Sequence, residues 1–251
     1  MAETYSLGID IGGTFTDIVA YDQATGQIIK AKELTTPDDP SRGVITGIRN
    51  LLGVDGTNAE DFSRMVHATT LFTNSIITRD GAKTGMLTTA GFRDAVEIGR
   101  ERKFELYDIF ISKPEPLVPR DLRAEVPERT GPNGEILTPI DLDALRQKVD
   151  ELVAQGVESL AIVFLHCYAN PAHEDAAIEV ISADHPDLFI SASHDVSPEI
   201  REYERSSTTS ANAYVKPLAQ RYLDNLVTEA GNLGVTAPFF MMLSNGGLTH
   251  I

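Results

Sequence analysis

The chain has 251 residues, 42% of them apolar and 23% charged, with a formal net charge of −16 and a single cysteine. That length suffices for a real core in one large domain or two modest ones, and the acidic balance, with no basic stripe against it, argues against DNA or RNA as a partner. Cys167 alone excludes an internal disulfide framework and a CxxC-type metal or iron–sulfur site. The longest apolar runs, residues 159–165 and 237–243, are too short to span a bilayer. No basic segment followed by an apolar one opens the chain, so a cytoplasmic protein is the plain reading. An acidic chain can still hold a polyanion through backbone N–H groups and a divalent metal.

Residues 5–11, 15–22 and 27–34 read as three strands, joined by Gly12-Gly13-Thr14 and Ala24-Thr25-Gly26. A helix follows. Asp39 caps it, Pro40 suits its first position, Val44, Ile45, Ile48, Leu51 and Leu52 form one apolar face, and Gly53 closes it. Residues 65–68 read as a short strand, 71–79 as a helix and 84–88 as another strand. Residues 100–139 are rich in proline and mixed charge, without a clean period, and read as an irregular excursion with short strands.

Regularity returns at Asp141. Leu142, Leu145, Val149, Leu152 and Val153 line a helix ended by Gly156, and residues 159–165 form a buried strand. Asn170 and Pro171 open the next helix, and residues 188–192 form the next strand. This alternation is the grammar of a parallel sheet with covering helices. A long helical region follows Ser197-Pro198, with Pro217 expected to kink or split it. The last strand covers 238–243, before Ser244-Asn245-Gly246-Gly247. The expected division is residues 1–139, holding the hairpin and the excursion, and residues 140–251, a second α/β region. The stop shortly after a glycine turn suggests a fragment of something longer.

The strongest local signal is Gly8-Ile9-Asp10-Ile11-Gly12-Gly13-Thr14-Phe15-Thr16-Asp17. Glycines permit positive φ and close approach of backbone to phosphate oxygens, so Gly12, Gly13, Thr14, Phe15 and Thr16 form a candidate phosphate cradle. Asp10 would face a hydrated Mg²⁺ rather than the phosphate, which a bare carboxylate repels. An ordinary Gly-Gly hairpin is the bland alternative. An acid within an otherwise apolar strand weighs against it, because a buried carboxylate needs a partner or a metal. Asp17 is either a second acidic group near the metal or a solvated strand residue.

This hairpin resembles the first phosphate motif of the actin-like ATPase superfamily, which includes heat-shock chaperones and sugar kinases. Further blocks narrow the resemblance: His67-Ala68-Thr69-Thr70, Thr73-Asn74, Gly81-Ala82-Lys83-Thr84-Gly85, and Gly91-Phe92-Arg93-Asp94 through Ile98-Gly99-Arg100. Pro116-Leu117-Val118-Pro119, Glu128-Arg129, Phe164-Leu165-His166 and Asn170-Pro171-Ala172-His173-Glu174 follow. Arg201-Glu202-Tyr203-Glu204-Arg205 and Ser244-Asn245-Gly246-Gly247 complete the set. In order and spacing these are similar to the hydantoinase A/5-oxoprolinase family across essentially the whole chain. Ala68 departs from the pattern, standing where the family usually has glycine.

The resemblance implies an α/β, actin-like (ribonuclease H-like) ATPase lobe with a mixed sheet, ATP and Mg²⁺ as cofactors, and a companion hydantoinase B-type subunit or domain. A homo-oligomer is left open. It implies ATP-dependent opening of a five-membered cyclic amide, of the hydantoin or 5-oxoproline kind, through phosphorylation of the carbonyl oxygen. The alternatives are a subunit of a ketone carboxylase, or a non-catalytic nucleotide-binding module or sugar-kinase relative. It also puts the second phosphate loop and the adenosine pocket beyond Ile251, so these 251 residues alone are expected to have little ATPase activity.

Asp10, His67 and Thr70 are the candidate catalytic residues, although a hydrogen-bonded structural histidine fits His67 equally well. Thr69, Asn74, Asn245, Gly246 and Gly247 are substrate candidates; helix capping is the alternative for Thr69, Thr70 and Asn74. Arg93, Asp94, Arg100 and Arg102 offer a carboxylate clamp or, more commonly, surface ion pairs. His166, His173 and Glu174 fit no strong metal motif. The charges of residues 201–205 read as a solvated face or intrahelical pairing, and Cys167 as a core thiol.

Overall fold

The computed structural model describes residues 5–36, 38–100 and 105–251. It is mixed α/β and divides into two compact units: residues up to Thr78 together with Leu218–Ile251, and Arg79–Pro217.

The first unit begins with the meander β1 (Tyr5–Ile11), β2 (Phe15–Asp22) and β3 (Ile28–Leu34), followed by α1 (Pro40–Leu51), β4 (Phe62–Thr69) and α2 (Leu71–Thr78). Alternation on β1 buries Leu7, Ile9 and Ile11 and turns Ser6, Gly8 and Asp10 the other way. α1 starts where its sequence dictates, with the Asp39 carboxylate accepting from Ser41 N and Pro40 in the first turn. Gly43 and Gly47 let α1 lie close on the sheet. A Cβ on Gly47 would sit 2.1 Å from Ile18 Cδ1, and one on Gly43 would sit 3.1 Å from Leu34 O.

The second unit holds β5 (Thr84–Thr89), α3 (Ala95–Ile98), β6 (Arg123–Val126), β7 (Arg129–Thr130), β8 (Ile136–Thr138), α4 (Leu142–Ala154) and β9 (Ser159–Val163). α5 (Ala172–Asp184), β10 (Phe189–Ala192) and α6 (Ser193–Val196) follow. α7 (Glu202–Asn232) runs through Pro217 without being split, and the division between units falls at that proline. β11 (Phe239–Met242) and β12 (Leu248–His250) return to the first unit. β12 had no counterpart in the sequence reading.

The first unit's sheet has the order β12-β11-β4-β1-β2-β3, with β1, β4 and β11 mutually parallel and the outer neighbours antiparallel. The second unit's sheet, β10-β9-β5-β6, is wholly parallel. The division expected after residue 139 therefore does not hold. Strands β5 and β6 lie before that point and β9 and β10 after it, yet they hydrogen-bond in one sheet. Each unit has its own core, the first around Leu7, Ile18, Ile48 and Leu226, the second around Leu87, Leu145, Leu160 and Ile162.

Buried polar groups stitch the carboxyl ends of the second sheet together. Glu174, fully buried at the start of α5, accepts from Phe164 N (2.9 Å), Ser193 Oγ (2.7 Å) and His194 N (2.9 Å), and its Oε2 lies 2.7 Å from His194 Nδ1. Glu128 accepts from the Thr89 hydroxyl and lies 2.7 Å from His173 Nδ1. Arg205 is wholly buried, donating to Phe164 O (2.8 Å) and Glu199 O (2.9 Å), so the 201–205 segment is not a simple solvated face. Glu174→Ala would strand two backbone N–H groups, a hydroxyl and an imidazole at once. A loss of about 3–5 kcal/mol is expected, the usual consequence of removing one member of a buried charged network. Urea denaturation of the variant checks this, and a cost under about 1 kcal/mol would show that water replaces the carboxylate.

Candidate functional site

Open sheets place ligands outside the carboxyl ends of their parallel strands. In the first unit three loops leave that edge: the turn after β1, Thr70 after β4 and the turn after β11. From the strand spacing, the first and third lie about 10 Å apart.

The first turn is pinned from behind. Gly12 N donates to Phe15 O (2.9 Å), Thr35 N donates to Thr14 O (2.9 Å), and the Thr35 hydroxyl donates to Gly12 O (2.9 Å). Gly13 and Thr14 are exposed, and among the described residues their N–H groups meet no acceptor. Neither Gly12 nor Gly13 adopts a positive φ, so the expected left-handed backbone is absent. Space is the constraint instead: a Cβ on Gly12 would lie 3.3 Å from Phe15 O. A Cβ on Gly13 would lie 3.7 Å from Asn74 Nδ2, which places the Asn74 amide beside the turn.

Of the five residues expected to cradle phosphate, Gly13 and Thr14 thus present free donors, while Gly12 and Phe15 close the turn on itself. Thr16 is withdrawn. It is fully buried, its hydroxyl 3.2 Å from that of Thr35, and cannot reach a ligand. Asp10 is exposed on the face away from α1, so burial supplies no reason for a metal there. Its carboxylate has no hydrogen-bond or ion-pair partner among the described residues. Asp17 stands opposite Asp10 on β2 but is paired with Lys32 at 2.8 Å. Two unpaired N–H groups, a free carboxylate and a nearby amide can bind an anion together with a hydrated cation.

Thr69 takes the capping role, its hydroxyl accepting from Leu71 N (3.0 Å). Thr70 is exposed at the edge, and its N–H reaches Ile11 O at 3.4 Å, tying the two loops. Ala68 lies in regular β4, paired with Asp10, so alanine there carries no backbone strain. Asn245, Gly246 and Gly247 form the tip of the β11–β12 hairpin. Asn245 Oδ1 accepts from Gly247 N (2.8 Å), and Gly246 has φ 82°. They reach the same edge, but the Asn245 oxygen serves its own turn.

His67 is not brought to the edge. It lies on the core face, fully buried, beside the rings of Tyr222 and Phe239. Its Nε2 lies 2.9 Å from Tyr222 Oη and its Nδ1 3.4 Å from Ile9 O. Burial lowers its pKa to about 4, so the ring is neutral, Nδ1–H donating to the carbonyl and Nε2 accepting from the phenol. The catalytic expectation for His67 gives way to a structural one. Thr35 and Tyr222, which position the turn and this histidine, had no sequence signal because both act across long separations.

In the second unit, Asp94 pairs with Arg120 (2.8 Å) and Arg100 with Glu204 (2.6 Å), while Arg102 lies outside the described residues. The Arg120 hydrogen bond holds the Asp94 carboxyl below the usual carboxylate range. His166 Nδ1 lies 2.8 Å from Thr130 O, and Cys167 is buried, its thiol pushed up to about 12 by burial.

A mixed α/β protein with a glycine turn at the carboxyl edge of a partly parallel sheet is the class defined so far. The profile of the hydantoinase/oxoprolinase N-terminal region matches residues 6–184, and that of hydantoinase/oxoprolinase matches residues 205–251. The chain belongs to the hydantoinase/oxoprolinase family. It is 36% identical to the caprolactamase alpha subunit of Pseudomonas jessenii, over 98% of this chain and 36% of that one. The crystal structure of the ATP-dependent caprolactamase from the same organism matches 97% of the chain, and 36% of its own, with TM-score 0.83 and 37% identity. Nucleotide-free acetone carboxylase, an ATP-dependent enzyme, matches all of this chain and 37% of its own with TM-score 0.87 and 27% identity. The chain thus spans little more than a third of these relatives. No helix among the described residues is long and apolar enough to cross a membrane.

The buried His67 gives a pH signature. Its folded pKa, about 4, lies below the ordinary value of 6.5, so the unfolded chain takes up the proton first as pH falls. Its contribution is complete above about pH 6.5 and is lost as pH drops towards 4, about 3 kcal/mol in all. Urea denaturation between pH 7 and 4.5 should show the wild type losing stability more steeply than His67→Gln. Parallel curves would mean that another group governs that range.

Proposed function

We propose that this chain is the nucleotide-phosphate-binding part of an ATP-dependent enzyme that opens a five-membered cyclic amide. The reading is carried by one observation: the unpaired Gly13 and Thr14 N–H groups stand with the free Asp10 carboxylate at the edge where parallel strands end. Two relatives described as ATP-dependent, a caprolactamase and a carboxylase, support it. So does the strand order β3-β2-β1-β4-β11, a meander continued by parallel strands, which fits an actin-like lobe.

Phosphoryl transfer from ATP to the amide carbonyl oxygen would activate the carbon for attack by water; the ring C–N bond then breaks with the nitrogen leaving as an amine, and hydrolysis of the resulting acyl phosphate releases phosphate. This chain's share is alignment and charge neutralisation. Gly13 and Thr14 would donate to phosphate oxygens, and Asp10 would hold the Mg²⁺ that neutralises their charge. Thr70 and Asn74, at the same edge, offer a hydroxyl and an amide to the group being phosphorylated. A hydantoinase B-type subunit or domain completes the reaction. The second reading, favoured by the carboxylase likeness, is a ketone-carboxylase subunit using the same edge to activate a ketone.

The deciding experiment is a coupled ATPase screen of the full-length protein, with its neighbouring gene product, against 5-oxoproline, hydantoins, acetone and acetophenone. Stimulation by a cyclic amide supports the first reading and stimulation by a ketone the second; turnover with sugars alone defeats both. In the full-length protein, Asp10→Asn should lower kcat about 10²- to 10³-fold with an unchanged melting temperature. A variant retaining more than a tenth of the activity would remove Asp10 from the site.

A further inference from the structure

The sheet of the first unit has two faces. On one, Leu7, Ile9, Ile18 and Met65 join Val44 and Ile48 of α1 and Tyr222 and Leu226 of α7 in the core. The other face is apolar too. Val19, Gly8, Val66 and Phe240 stand side by side across β2, β1, β4 and β11. Ala68, Met242 and Leu248 continue that surface towards β12, the last two 47% and 45% exposed. None of these seven belongs to the core or packs against it among the described residues. The charged residues gather at the opposite margin, where Asp10, Asp17 and Lys32 form one row.

Parallel strands are ordinarily covered on both faces and then read as unbroken apolar runs, whereas a strand with one wet face alternates. β11 is such a run, Phe239-Phe240-Met241-Met242, and it is parallel to β4. Its second face is therefore built for burial. Gly8 is a separate sign. It has no positive φ, and a Cβ there would meet only Val19 O, at 3.8 Å. Nothing among the described residues requires glycine, although a β-branched side chain would suit the strand better. Glycine inside a strand often marks the close approach of another backbone.

We propose that in the full-length protein this face is covered by two helices from sequence outside residues 1–251, packed closest at Gly8. Two are needed because β2 to β12 spans four strand spacings, roughly 19 Å, and a helix with its side chains is about 10 Å across. The relatives have the material, carrying nearly two thirds of their length outside the matched region. A second copy fits poorly, because a net charge of −16 on each chain opposes association. The cover is independent of what the phosphate edge binds.

The test uses the full-length protein with the photoreactive residue benzoylphenylalanine in place of Phe240, irradiated and mapped by mass spectrometry. The cross-link should join position 240 to a segment of the same chain outside residues 1–251. A cross-link to residues 79–217, to a second copy or to a companion subunit, or none at all, would overturn the proposal. Gly8→Val, again in the full-length protein, gives a second measurement through the sign of its effect. On a bare strand valine raises the melting temperature through its β propensity. Under a closely packed helix it should lower the melting temperature by several degrees, as overpacking does, and Gly8→Ala should lower it less. An unchanged or raised melting temperature in Gly8→Val would also overturn the proposal.

Discussion

The candidate site depends on β1 being paired on both sides at once, antiparallel to β2 and parallel to β4. The antiparallel side forces a tight reversal after Ile11, exposing the Gly13 and Thr14 amides. The parallel side delivers Thr69 and Thr70 to the same edge and places Ala68 beside Asp10. Because strand side chains alternate with period two, the register that buries Ile9 and Ile11 also fixes Asp10 on the open face. A one-residue slip would bury the carboxylate and expel the isoleucines. Hydrophobic burial therefore sets the geometry that any anion or cation at this edge would meet.

Much of this was legible because it was local. The Asp39-Pro40 start of α1, the Gly156 end of α4 and the glycine-turn reversal all carry their cause within a few residues. What escaped was non-local. Thr16 belongs to the phosphate motif in sequence, but the alternation of β2 turns it to the buried face, its hydroxyl beside that of Thr35. Arg205 looked like one charge in a solvated series, yet carbonyls of Phe164 and Glu199 bury it. His67 gave no hint that Tyr222 would meet it, and β12 is too short and too exposed to announce itself. The sheet assignment of residues 79–217 rests on strand pairing, which composition cannot reveal.

Two histidines show how environment, not identity, sets charge. His67 is held neutral by burial between Tyr222 and Ile9. His194 has its pKa raised, first by its hydrogen bond to Glu174. Its stabilisation is therefore present below pH 6.5 and lost as pH rises through the higher folded value, the reverse of His67. The two histidines thus respond to proton concentration with opposite signs.

The interruption of the first unit by the second has a consequence for biosynthesis. Residues 79–217 are contiguous, so their parallel sheet can be completed while the ribosome is still at work. The first unit has β1 to β4 early but must wait for Tyr222 and β11, whose Phe239 pairs with Met65. Until then β4 is a bare edge strand with an unmet imidazole on one face, the kind of surface that invites wrong partners. Closing that long chain separation comes late and slowly. A chain released near residue 217 would thus be half native, with β4 still lacking the strand that covers its free side.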